Sequence, residues 1–167
     1  MSEMLIRHEM HCDVDTYWKC VWDEEYNRRL YLDVLKFREC TRLSQDDQPN
    51  VLTRRIKLNP PKMDLPAAVA KVIGDVSWIE EGTFDKATKK FKVKVVTSSM
   101  PDKTHISGEL WCEPKGDKLI ERVAKMSVEV KIFMVGGIVE KRVMEDMKKS
   151  YDAAAKFTDE FVKEKGW

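Results

Sequence analysis

At 167 residues, with 30 lysines and arginines against 29 aspartates and glutamates, the chain is long enough to bury a real core and lacks the basic excess that a phosphate backbone selects. Hydrophobic residues make up 43% and charged ones 35%, which argues against disorder, and no uncharged stretch approaches the roughly 18 residues of a membrane span. One domain over residues 1–167 is expected, with no nucleic-acid partner.

The opening residues, MSEMLIRHEMHC, contain no apolar run of the signal-peptide kind, so a cytoplasmic protein is expected. From Met4 to Cys12 the residues Ile6, His8, Met10 and Cys12 alternate against Leu5, Arg7, Glu9 and His11, which predicts a strand, and Asp13 is placed to cap the helix that follows. His8, on the face of Ile6 and Met10, reads as a hydrogen-bonded core histidine. From Val14 to about Leu35 apolar residues recur at spacings of three and four, which predicts two short helices joined near Asp23.

Six strand-like segments come next: KFRECTRLS, VLTRRIKL, VSWIEEGTF, KFKVKVVTS, THISGELWCEP and KLIERVAKMSVEVKIF, separated by turn-rich stretches such as DDQPN, DKATK, SMPDK and PKGD. With the first strand they make seven. Between the second and third of them, DLPAAVAKVIG (64–74) predicts a helix with Pro66 in its first turn and Gly74 at its end. After the last strand, Val139, Met147, Ser150, Ala154, Phe157 and Phe161 fall within about 40 degrees of Val143 on a helical wheel, with lysines and acids opposite. That is one long amphipathic helix, and its stripe needs a broad apolar surface, which only an antiparallel sheet supplies. Gly136-Gly137 is read as the unrestricted backbone that swings the chain from strand to helix, at a corner where any Cβ would limit φ or approach.

This order resembles the helix-grip fold of the START-like superfamily, an α+β architecture in which a curved seven-stranded antiparallel sheet wraps a long C-terminal helix, with two short helices after strand one. The ending VEVKIFMVGGIVEKRVMEDMKKSYDAAAKFTDEFV is similar to uncharacterised bacterial START-like (DUF2505-type) proteins and to sterol-handling VASt domains. The segment DVDTYWKCVWDEEYNRRLYLDVL resembles the piece that closes one end of the cavity in such folds. The resemblance implies binding, and transfer, of a lipid or sterol-like molecule between sheet and helix.

The implied lining combines Trp78 and Glu80 from one strand, Phe91, Val93 and Leu110 from its neighbours, Arg122 and Met126 from the last strand, and Val143, Met147, Ser150, Tyr151 and Ala154 from the helix. Val76, Trp78, Glu80, Gly82 and Phe84 share a strand face, so Glu80 is expected among aromatics, where it would orient a ligand. The competing reading pairs Glu80 with a cross-strand cation on the surface. Arg122 is expected near the open end of the cavity, or pointing to solvent from a strand end. The stretch 60–73 reads as an apolar lid that touches a membrane surface, or as a helix simply packed on the sheet.

Other chemistries find less support. Cys12, Cys20, Cys40 and Cys112 form no CxxC pair, and His8, His11 and His105 show no metal spacing, so reduced thiols, no metal and no cofactor are expected. Glu80 and Glu81 are neighbours on a strand and face opposite ways, which removes a paired-carboxylate site. Two alternatives to a carrier stay open. One is a cyclase or hydrolase using Glu80 or His8 as base. The other is a filled-core interaction module with Lys92, Lys94, Glu129 and Lys131 on the outer sheet face. Trp167, at the terminus, is expected to fray.

Overall fold

In the computed structural model of the protein, which describes residues Met1–Trp167, the first strand, β1 (Ser2–Met10), begins two residues before the apolar alternation does. The reason is pairing: Ser2 already lies opposite Val128 of the last strand. Asp13 accepts a hydrogen bond from Thr16 N at 2.7 Å and starts α1 (Val14–Trp22). Asp23 ends α1 and caps α2 (Glu24–Arg28) by accepting from Tyr26 N at 2.8 Å. The chain then runs on into a π-helical turn, Arg29–Val34, which the mixed apolar spacing did not reveal.

The sheet is antiparallel and curved. Its strands are β1, β2 (Glu39–Asp47), β3 (Val51–Asn59), β4 (Trp78–Asp85), β5 (Lys90–Thr97), β6 (Thr104–Gly116) and β7 (Leu119–Val130), in the spatial order β1-β7-β6-β5-β4-β3-β2. Every neighbour is consecutive in sequence except β1 and β7. The predicted helix within this run is α3 (Ala67–Ile73), bounded by Pro66 and Gly74.

The last helix, α4 (Gly136–Lys165), is 30 residues long, or on the order of 45 Å. Both of its ends are anchored. Near its C-terminus Phe157 and Phe161 join Tyr26, Met10, Cys12 and Trp18 in the main core, and Tyr26 and Thr158 share a hydrogen bond at 2.7 Å. Near its N-terminus Val139 meets Val69, Ile106, Val128 and Val130 in a smaller cluster. In between, Val143, Met147, Ser150 and Tyr151 are only half-buried: Tyr151 meets Arg122 and Met126 of β7, and all four line a space left between helix and sheet.

Two expectations are corrected here. The strand-to-helix corner does not depend on free backbone at both glycines, since neither has a positive φ and the left-handed residue is Met134 (φ 64°). The limit on approach holds for one of the two: a Cβ on Gly136 would stand 2.2 Å from the Val130 carbonyl oxygen, whereas a Cβ on Gly137 meets nothing within 4 Å. Nor does Trp167 fray. Its N–H donates to Val162 O at 3.1 Å, its ring meets Phe161 edge-on at 5.6 Å, and Lys19 Nζ sits 3.7 Å from its centroid.

Candidate functional site

The gap under the middle of α4 is a cavity of about 1120 Å³, lined mostly by hydrophobic side chains. That exceeds the range of roughly 300–1,000 Å³ typical of small-molecule pockets. All twelve residues expected to line it do so: Trp78, Glu80, Phe91, Val93, Leu110, Arg122, Met126, Val143, Met147, Ser150, Tyr151 and Ala154. Periodicity explains the agreement, because inward positions of a strand or helix stay inward wherever the element sits. Gly82 contributes by what it lacks: a Cβ there would fall 2.1 Å from the end of the Phe91 ring, which occupies that space and forms part of the wall.

Glu80 is not on the surface. Its partner is Arg54 of β3, reached diagonally across the β3–β4 ladder, with Nη2 3.8 Å from Oε1. Arg54 itself is 5% exposed, donates to the Val21 carbonyl oxygen, and lies over the rings of Trp22 and Phe91 at 5.1 and 5.9 Å. Burial raises the Glu80 carboxyl above the usual carboxylate range, and Arg54 opposes that rise only in part. Tyr31, carried in by the π-helical turn, is the third polar group here. Its phenol is pushed well up by burial and, secondarily, by the Glu80 charge.

Arg54 and Tyr31 were both missed from sequence. Arg54 had left a signal, since it alternates with Leu52, Ile56 and Leu58, an apolar face on which a charge needs a buried partner. Tyr31 left none, because its direction depends on the extra residue in the π-turn.

Arg122 stands at neither the open end of the cavity nor a solvent-facing strand end. It is 3% exposed, donates from Nη2 to His8 Nδ1 and to the Tyr151 carbonyl oxygen, both at 3.0 Å, and its guanidinium lies 4.8 Å from the Tyr151 ring. Its place opposite His8 on β1, beneath α4, closes it off. His8 turns towards α4, with Nε2 2.7 Å from Asp152 Oδ1, and is not among the lining residues, which removes it as a base acting inside the cavity.

The segment before α3 and α3 itself form one wall. Met63, Leu65 and Ile73 line the cavity, Val69 anchors the helix to the Val139 cluster, and exposed Lys62, Lys71 and Lys149 mark the opening. Its polar attachments include Arg142 to Asp64 at 3.7 Å, Arg38 to Asp75 at 2.8 Å and to the Pro60 carbonyl oxygen at 3.0 Å, and Ser99 Oγ to the Ile73 carbonyl oxygen at 3.3 Å. On the outer face Lys92 and Lys94 are exposed, and Lys131 pairs with Glu129 at 3.3 Å. The four cysteines are unpaired, and burial pushes Cys112, which faces the core, up to about 12.

Over residues 6–162 the sequence matches the family described as "Protein of unknown function (DUF2505)". The chain belongs to the DUF2505 family. Solved structures place its fold in a wider group. The protein is similar to TTHA0849 from Thermus thermophilus (16% identity, 96% of this chain and 97% of that chain, TM-score 0.67) and to the Zhui aromatase/cyclase from Streptomyces sp. R1128 (10% identity, 99% and 96%, TM-score 0.69). It is likewise similar to a START superfamily protein from Mycobacterium smegmatis (14% identity, 92% and 97%, TM-score 0.59). This DUF2505 chain therefore has the helix-grip fold of the START superfamily. No curated protein matches it in sequence. No helix in it is long and apolar enough to cross a membrane.

Proposed function

We propose that the protein binds a hydrophobic small molecule, of lipid or sterol-like size, between its sheet and α4, and sequesters or transfers it. The observation that carries this reading is the cavity of about 1120 Å³ beneath a helix whose two ends are packed into the core clusters and whose middle is half-buried over open space. Apolar burial drives binding at about 2.5 kcal/mol for each 100 Å² covered, less the cost of immobilising the ligand. Transfer would use the 60–73 segment as a lid that touches a membrane surface. Exposed Val72, Lys62 and Lys71 support that role.

The test is native mass spectrometry of gently purified protein, followed by solvent extraction. An added mass of a few hundred daltons that solvent releases supports the carrier reading. A bare mass, with no thermal shift against sterols, fatty acids and phospholipids, turns the choice towards an interaction module.

A second reading, a cyclase- or hydrolase-type enzyme, is favoured by one observation, the Glu80 carboxyl held above its usual range inside the cavity. It requires that Glu80→Gln keep ligand uptake and lose turnover.

A further inference from the structure

Resting on the reading of the cavity as a binding site, we propose that its ligand carries an acidic head group, a carboxylate or a phosphate ester, held at the opening between α3 and α4 by Lys62, Lys71 and Lys149 while its apolar body fills the space within. Charge is shared out unevenly along the cavity wall. Three carboxylates line it, and each is already matched by an arginine: Asp75 by Arg38 at 2.8 Å, Asp146 by Arg142 at 2.9 Å and Glu80 by Arg54 at 3.8 Å. Four further cations line it, Lys62, Lys71, Arg122 and Lys149, and no carboxylate pairs with any of them. The whole chain carries a formal charge of only +1, so this excess belongs to the cavity and not to a generally basic surface.

Arg122 stands apart from the other three, buried beneath α4 with its Nη2 held by His8 and the Tyr151 carbonyl oxygen. The lysines are exposed and rim the opening, Lys62 on the chain before α3, Lys71 on α3 and Lys149 on α4. Their neighbouring acids are engaged elsewhere. Arg38 holds Asp75, the carboxylate near Lys62, and Lys148 holds Asp152, three residues on from Lys149, at 3.2 Å. Arg142 reaches from α4 to Asp64 at 3.7 Å and ties the two sides of the opening together. A lysine lays its stem along apolar surface and keeps its ammonium in water, so an acidic head group meets these charges without being drawn into the apolar interior, where losing its water would cost more than the pairing returns. A cationic head group would meet only like charge.

The experiment uses the full chain and displacement of a neutral fluorophore, N-phenyl-1-naphthylamine, at neutral pH and low salt by decanoate, decyl phosphate and decyltrimethylammonium, all as monomers with no bilayer present. The anions are expected to bind about tenfold more tightly than the cation of equal chain length, the size of a few exposed ion pairs together. A gap for one anion alone supports the inference and names its head group. Because the lysines are exposed, the gap should close to within about threefold in about 0.5 M sodium chloride. It should close likewise in Lys62→Gln/Lys71→Gln/Lys149→Gln, whereas Lys92→Gln/Lys94→Gln/Lys125→Gln, which removes as much charge from exposed positions on the outer sheet face, should keep it. The salt series needs no substitution, so it tests the inference even if a variant fails to fold. Equal affinity for anions and cation in the unmodified protein, a gap that salt leaves unchanged, or a gap that survives in the variant at the opening overturns the inference and leaves the cavity reading intact. Failure of the fluorophore and all three amphiphiles to bind overturns the carrier reading as well.

Discussion

Nη2 of Arg122 lies 3.0 Å from Nδ1 of His8, where β1 and β7 set the two residues directly opposite each other. Because Nδ1 accepts from a guanidinium, the imidazole proton sits on Nε2, which donates to Asp152 at 2.7 Å. A buried cation is thereby tied through one ring to the outer surface of α4. Replacing His8 with Leu strands a donor of a residue that is 3% exposed, and should cost about 1–3 kcal/mol. Urea titration would report this as a lower midpoint at unchanged slope, and an unmoved midpoint would mean that Arg122 does not depend on His8.

The corner before α4 separates two adjacent glycines. Gly136→Ala drives a methyl group to 2.2 Å from the Val130 carbonyl oxygen, an atom of the backbone that cannot step aside. A loss of about 2 kcal/mol or more is expected. Gly137→Ala meets open space in the first turn of the helix and should gain about 0.5 kcal/mol by restricting the unfolded chain. Thermal melts of the two variants should therefore move in opposite directions.

Glu140 gives the pH dependence a sign. Its carboxylate accepts from Val130 N and from Ser2 Oγ, each at 2.8 Å, and the first of these bonds is the main reason its pKa is lowered. A depressed carboxylate stabilises the folded state at pH above its unfolded value, near 4.3, and the contribution fades as pH falls through the lower folded value. Glu140→Gln should cost about 1–2 kcal/mol at neutral pH and lose that difference in acid below about pH 4. A gap between the two proteins that stays constant from neutral pH into acid would rule out the carboxylate as its source.

The middle of α4 and its buried end should respond differently to bulk. Ser150 is half-buried over the cavity, so Ser150→Trp should block uptake of a fluorescent lipid analogue while changing the unfolding free energy by less than about 1 kcal/mol. Ala154 is 9% exposed and belongs to the packed cluster of 21 buried residues as well as to the cavity wall. Ala154→Trp should block uptake and also destabilise by about 1–3 kcal/mol through overpacking. Equal destabilisation at the two positions would mean that the space beneath Ser150 is filled.

Much of this arrangement was legible as local pattern. The alternation of Ile6, His8 and Met10, the caps at Asp13 and Asp23, and the stripe from Val139 to Phe161 all follow from the repeat of a strand or helix and from donors left open at a helix start. These are properties of a few consecutive residues, so they survive without knowledge of the rest of the chain. For the same reason the inward position of Glu80 could be read, but its partner could not.

That Arg54 and not a surface lysine faces Glu80 depends on the β3–β4 register, which sets Arg54 opposite Gly82 and one diagonal step from the carboxylate. The depth of Arg122 depends on β1 returning to pair with β7, a contact between residues more than a hundred positions apart. The cavity depends on more still: α4 finds Val69 and Val130 at one end and Tyr26 at the other, with only a few contacts, such as Arg122 against Tyr151, between them. By itself the sequence determined which side chains point inward, since that follows from backbone geometry. Only the tertiary structure decided which inward side chains meet and which are left facing empty space, because that is a sum over long-range contacts that no local repeat contains.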